Sequence, residues 1–187
     1  MANKFIKRYI DDYATIQEID PKSGKPVTKR VYTGSLYKAA MTDAQWRRFK
    51  WLLSAGVVAA NSLTITGALI TAPSNILTLL VIPQAIGLFG ILYSLYLVGL
   101  ILLARYPFTS YYHYRCTSSF PHIMVFNLIC FGICALEALV CAIVFRRPYL
   151  MAELQTAFFL GLGSALYGYL SHVLKKLPWD TADDKEA

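Results

Sequence analysis

The chain has 187 residues, of which 56% are apolar and 16% charged, with a formal net charge of +7. This departs from the composition of an ordinary soluble domain, and the excess charge is local: residues 1–50 hold eleven Lys or Arg against five Asp or Glu, a placement that fits membrane topology better than a nucleic-acid face. No Asp, Glu, Lys or Arg occurs over residues 51–104, a run too long for one bilayer-spanning helix of about 20 residues and suited to two.

At the start of the chain Phe5, Ile6, Tyr9, Ile10 and Tyr13 recur at helical spacing among Lys4, Lys7, Arg8, Asp11 and Asp12. This predicts a short amphipathic helix, either packed on its own domain or lying among lipid headgroups. So polar an N-terminal segment is unlike a cleavable secretory signal. Residues 13–20 and 27–33 are rich in β-formers, and the intervening Asp20-Pro21-Lys22-Ser23-Gly24-Lys25 places Pro and Gly where a turn needs them. A β-hairpin is predicted. Two strands alone are marginally stable in water, so the hairpin should rest on the membrane surface, another loop or a partner.

Thr42 followed three residues later by Gln45 is a capping box, which starts the first long helix near Asp43. Spans are predicted over about 47–70, 76–104, 121–145 and 149–174. Thr71-Ala72-Pro73-Ser74-Asn75 is the tight connection between the first two, and Pro83 should kink or locally interrupt the second. Trp46, Arg47, Arg48, Lys50 and Trp51 at one end, and Lys175, Lys176 and Trp179 at the other, are the expected interfacial anchors. The connector 105–120 contains Tyr106, Phe108, Tyr111, Tyr112, Tyr114 and Phe120, the composition of an interfacial aromatic belt. Residues 177–187 are expected to be disordered.

The predicted architecture is therefore an all-α membrane protein, a four-transmembrane-helix bundle over 43–176. A small N-terminal cytoplasmic segment over 1–42, a short amphipathic helix plus a β-hairpin, precedes it. With four spans, sixteen Lys or Arg fall on the side of the termini and two, Arg146 and Arg147, on the other. The positive-inside rule then places both termini in the cytoplasm of a multi-pass protein, in a plasma or bacterial inner membrane. Glu153, one turn into span four, is placed to neutralise one of the two dissenting arginines.

Three features could carry chemistry. Glu137 is the acidic residue deepest in a span, and counting from the span ends brings Asn61 and Gln84 to similar depth. A polar layer of Asn61, Gln84 and Glu137 would be either a proton- or cation-linked site or a set of packing hydrogen bonds. Asn127, Cys130, Cys134, Glu137 and Cys141 share one helix face, a stripe with soft-metal ligands whose sulfurs lie too far apart along one helix to chelate an ion unaided. Packing is its simpler role, and no cofactor or metal is expected. Cys130 and Cys134, four apart on a helix, cannot close a disulfide, which removes a thiol oxidoreductase. Small residues form faces at Ala157, Gly161, Ser164, Ala165 and Gly168 and at Gly87, Gly90 and Ser94, for packing within the chain or for a homo-oligomer. His122 and His172, near the inner ends of their spans, read as interfacial hydrogen-bonding residues.

No phosphate-binding glycine loop, zinc-protease helix or nucleophile elbow is present. The functional expectation is a non-enzymatic accessory or docking subunit of a membrane complex. Its partners would be the bilayer and a protein, or a second copy, reached through the cytoplasmic hairpin or the small helix faces, without nucleic acid. The alternative is a small oligomeric transporter or channel with a proton- or cation-linked site at Glu137.

Overall fold

Thr42 and Gln45 begin the first long helix as the capping box requires: the Gln45 N–H donates to Thr42 Oγ1 at 3.3 Å and the Thr42 N–H to Gln45 Oε1 at 2.9 Å. The computed structural model describes residues 12–19, 25–76, 78–145 and 149–182. The expected amphipathic helix, the Pro-Gly turn of the hairpin and the Arg146-Arg147-Pro148 turn lie outside them.

In chain order the elements are β1 (Tyr13–Ile19), β2 (Pro26–Tyr32), β3 (Leu36–Ala39), α1 (Asp43–Leu69), a short 3₁₀ turn (Pro73–Ile76), α2 (Thr78–Leu103), α3 (Ser110–Tyr114), a π turn (Arg115–Ser119), α4 (Phe120–Phe145), α5 (Leu150–Lys175) and β4 (Trp179–Ala182). The first two strands pair antiparallel, with Tyr13 opposite Tyr32 and Ile19 opposite Pro26. Four helical stretches are long and apolar enough to cross a membrane: Asp43–Leu69, Val81–Leu103, Ser110–Val144 and Leu150–Lys175. Their outward faces carry large apolar side chains, among them Leu69, Phe89, Leu136, Ile143 and Phe158, a surface that water would not tolerate over such an area.

Two expectations need correction. The third long helix does not start at Pro121: it begins eleven residues earlier and runs through the π turn, where the Phe120 N–H bonds back to Arg115 O. Pro121 has no N–H to donate, and a widened turn just before it lets the helix pass. Tyr111, Tyr112 and Tyr114 are therefore helical, not loop, residues. Pro83, likewise, lies inside α2 without ending it.

Within the tail expected to be disordered, Trp179–Ala182 forms a strand. Trp179–Ala182 pairs antiparallel with β3, Ala39 opposite Trp179, and the other side of β3 bridges to Phe108 through Tyr37. This pairing joins segments 140 residues apart, which local composition cannot foresee. It also brings both terminal segments to the same end of the bundle.

Within the bundle α5 is the common neighbour. Added at Gly163, a Cβ would meet Thr64 Cγ2 at 2.5 Å and Ala60 O at 3.2 Å on α1, and at Gly67 it would meet Leu160 Cγ at 2.8 Å. On its other side, Gly161 faces Ala135 and Gly168 faces Leu128 of α4. Helix α2 packs mainly on α4, through Gly87 against Phe131 and Gly90 against Asn127.

Candidate functional site

The end that carries both terminal segments is closed by an aromatic cluster. Trp46, in the first turn of α1, is 2% exposed; its ring stacks on Tyr106 at 5.4 Å and meets Phe108 and Trp179 edge-on at 5.4 and 5.8 Å. His113 of α3 stacks on Tyr37 at 4.1 Å and turns its edge to Trp179 at 5.0 Å. Backbone bonds fix the frame: Tyr37 N–H to Phe108 O at 2.7 Å and Phe108 N–H to Tyr37 O at 2.8 Å. The Tyr106 hydroxyl donates to Ala39 O at 3.3 Å, and burial pushes its phenol above the usual range. Each aromatic pair adds about 0.5 to 1.5 kcal/mol beyond its buried area, so the cluster holds β3, β4 and the start of α1 together.

Trp46 is thus buried in packing and Trp179 is half-buried against it. Trp51, Arg47, Arg48, Lys175 and Lys176 are exposed and Lys50 is half-buried, as interfacial positions would be. The tryptophans differ because β4, invisible to the sequence pattern, folds back over Trp46.

From this platform the β1–β2 hairpin projects. Its base is tied down: the Ser110 N–H donates to the Tyr32 hydroxyl at 3.0 Å, Ser110 Oγ donates to Asp12 Oδ2 at 2.5 Å, and the Thr33 N–H donates to Asp12 O at 2.8 Å. Beyond the base the strands are exposed on both faces, including Ile16, Ile19 and Val27. Among the described residues no third strand joins this sheet.

Among the described residues no hydrogen bond joins Asn61, Gln84 and Glu137. Asn61 donates through Nδ2 to Ser94 Oγ at 3.3 Å and accepts at Oδ1 from the Tyr167 hydroxyl at 2.5 Å. Gln84 donates to Asn75 Oδ1 at 2.8 Å, and Asn75 in turn caps the end of α1 by donating to Gly67 O and Ile70 O at 3.1 and 2.7 Å. Glu137 Oε2 is buried without a partner.

The reason is stagger. Equal residue counts give equal depth only if helix ends are flush, and here the α4–α5 pair extends past the end of α1. Gly161 faces Ala135, so Glu137 lies level with Phe159, about 12 Å along α5 from Tyr167 and hence from Asn61. The polar residues form two levels. The deeper one takes a residue from each long helix: Asn61, Ser94, Tyr167, and Asn127, which is fully buried against Gly90. The other, at the end away from the strands, holds Asn75, Gln84, Glu137 and Glu153.

Glu153 is fully buried and accepts the Ser74 N–H at 2.9 Å, pinning the 3₁₀ turn to α5. Its expected partners, Arg146 and Arg147, lie outside the described residues. Sequence reasoning missed Ser94, Asn127 and Tyr167 as members of a polar level. Ser94 was read as a small residue and Asn127 as part of the cysteine stripe, and a buried tyrosine has no periodic signature.

Cys130, Cys134 and Cys141 are buried along α4, and Cys116 is buried in the π turn. Among the described residues no group of three or more His, Cys, Asp or Glu comes close enough to hold a metal ion. Of the small faces, Gly161, Ser164 and Gly168 meet α4, Ala157 is buried, and Ala165 is exposed; Gly87, Gly90 and Ser94 are buried in the interior. His122 is exposed and places Nδ1 against Ser118 O at 2.5 Å, within its own helix, while His172 is exposed near the end of α5.

No family model, curated protein or solved structure matches the chain.

Proposed function

We propose that the four long helices span a bilayer with both termini in the cytoplasm, and that the chain is a non-enzymatic docking subunit of a membrane complex. The observation that carries this reading is the β1–β2 hairpin. It is rooted at Asp12, Tyr32 and Ser110, yet it exposes Ile16, Ile19 and Val27, and among the described residues no third strand joins it. An isolated two-stranded sheet is marginal in water, and a free edge is a template for an added strand. A partner that supplies a strand would cover both deficits. The aromatic cluster beneath gives the hairpin a rigid mount. The small helix faces, largely consumed by packing inside the bundle, lend less support to a homo-oligomer.

Removal of residues 12–33 tests this. The truncated chain should still insert and keep its bundle, because those residues lie outside it, but should no longer co-purify the protein that travels with the full chain in mild detergent. Unchanged co-purification would refute the docking role.

A second reading, a small oligomeric transporter or channel with a proton- or cation-linked site, is favoured by the buried, unpartnered Glu137 Oε2. It requires a flux across liposomes that Glu137→Gln suppresses. A flux indifferent to that substitution removes Glu137 from any such role.

A further inference from the structure

Arg115 occupies the π turn at the aromatic end of the bundle, next to α3, whose Tyr112 and His113 pack into the cluster. Its guanidinium is held from two directions. Nη1 donates to the Tyr93 hydroxyl, and the group lies 5.0 Å from the centroid of the Tyr111 ring. Tyr96 stands beside them, its ring 5.9 Å from that of Tyr93.

The partners of this cation are therefore neutral. Among the described residues the ion pairs are Lys29–Glu18 and Lys38–Asp43, and neither involves Arg115. Arg115 Nε is buried without a hydrogen-bond partner. The neighbouring face of α2 is apolar and outward-facing, with Leu92, Leu95 and Tyr96 all exposed. A guanidinium fixed in place beside an outward apolar surface, with no carboxylate paired to it among the described residues, is suited to an anion that comes from the membrane side.

We propose that Arg115, with Tyr93, Tyr96 and Tyr111, binds the phosphate of an anionic phospholipid in the leaflet at the strand-bearing end of the bundle. The guanidinium fork matches two phosphate oxygens, and tyrosine hydroxyls are neutral donors to the remainder. Tyr93 accepts from Arg115 and so keeps its own O–H to donate. The acyl chains of the same lipid lie along Leu92 and Leu95, which a free phosphate ion cannot use. The fixed guanidinium needs no reordering on binding, unlike the exposed Arg47 and Arg48. The site rests on the reading that the helices span a bilayer. That reading fails separately, if alkaline carbonate releases the chain from membranes.

The experiment is native mass spectrometry of the full chain, purified in mild detergent and titrated with phosphatidylglycerol, phosphatidylcholine or inorganic phosphate. The wild type should retain phosphatidylglycerol over phosphatidylcholine, and millimolar inorganic phosphate should not displace it. Arg115→Gln should weaken retention about tenfold, whereas Arg47→Gln, which removes one mobile surface charge, should cost no more than about fivefold. Arg115→Lys, keeping charge but losing the fork, should fall between wild type and Arg115→Gln, and Tyr93→Phe should also weaken retention. These two milder variants decide the matter if Arg115→Gln does not fold. Equal losses for Arg115→Gln and Arg47→Gln would overturn the site in favour of diffuse charge attraction. Displacement by inorganic phosphate would overturn the lipid assignment.

Discussion

Gly163 and Gly99 are both glycines inside long apolar helices, but they stand in opposite surroundings. A methyl group at Gly163 would press on Thr64 Cγ2 at 2.5 Å, with the backbone of α1 directly behind it, whereas at Gly99 nothing lies within 4 Å. The contrast separates two regions of the bundle. Helices α1 and α5 approach closely enough for glycine to be a packing requirement at Gly163 and Gly67, whereas on the α4 side of α5 a Cβ at Gly161 or Gly168 would make ordinary contacts at 3.8 and 3.5 Å. Helix α2 is held closely by α4 at Gly87 and Gly90, and Gly99 lies on its open outward face, while Leu97, Val98 and Ile101 around it are buried. Small residues permit close approach only where a partner helix takes advantage of it.

The contrast can be broken by one substitution in each region. Gly163→Ala should destabilise the bundle by about 1 to 3 kcal/mol, since neither Thr64 nor the α1 backbone can withdraw without opening the seam. Gly99→Ala should change stability by no more than about 0.5 kcal/mol, as substitutions away from packed sites do. Unfolding of both variants in mixed micelles, at increasing denaturing detergent, measures the difference. Comparable losses would mean that the outward face of α2 at Gly99 is a packed surface after all.

Much of the scaffold was legible because it rests on local signals. Thr42 and Gln45 mark a helix start by chemistry contained in four residues, and the apolar runs mark four long helices by length alone. The hairpin strands appeared within a residue of their predicted limits, because β-formers flank a Pro-Gly segment. What escaped the sequence depends on distant partners. Trp179 has no local reason to form a strand; it does so because Leu36–Ala39 offers an edge and Trp46 a ring. Asn61 was legible as a buried polar residue, but its companions were not, since they follow from the stagger of helix ends that no single helix encodes. Pro121 misled in the other direction: a proline is usually a boundary, and here a π turn carries the helix through it.

The deeper polar level offers a finer test of the same contrast, because Asn61 reaches into both regions at once. Its carbonyl accepts from Tyr167 on α5, and its amide donates to Ser94 on α2, which packs mainly on α4 rather than on α1. Interhelical hydrogen bonds of this kind average about 0.6 kcal/mol and reach about 1.7. Tyr167→Phe, which removes a 2.5 Å bond between fully buried groups and leaves the ring in place, should fall in the upper part of that range. Ser94→Ala, which removes a 3.3 Å bond, should fall in the lower part. Both losses should shrink in an Asn61→Ala background, since the shared partner is already gone. If Ser94→Ala proved the costlier change, the bond to α2 rather than the bond to α5 would be the principal tie of Asn61.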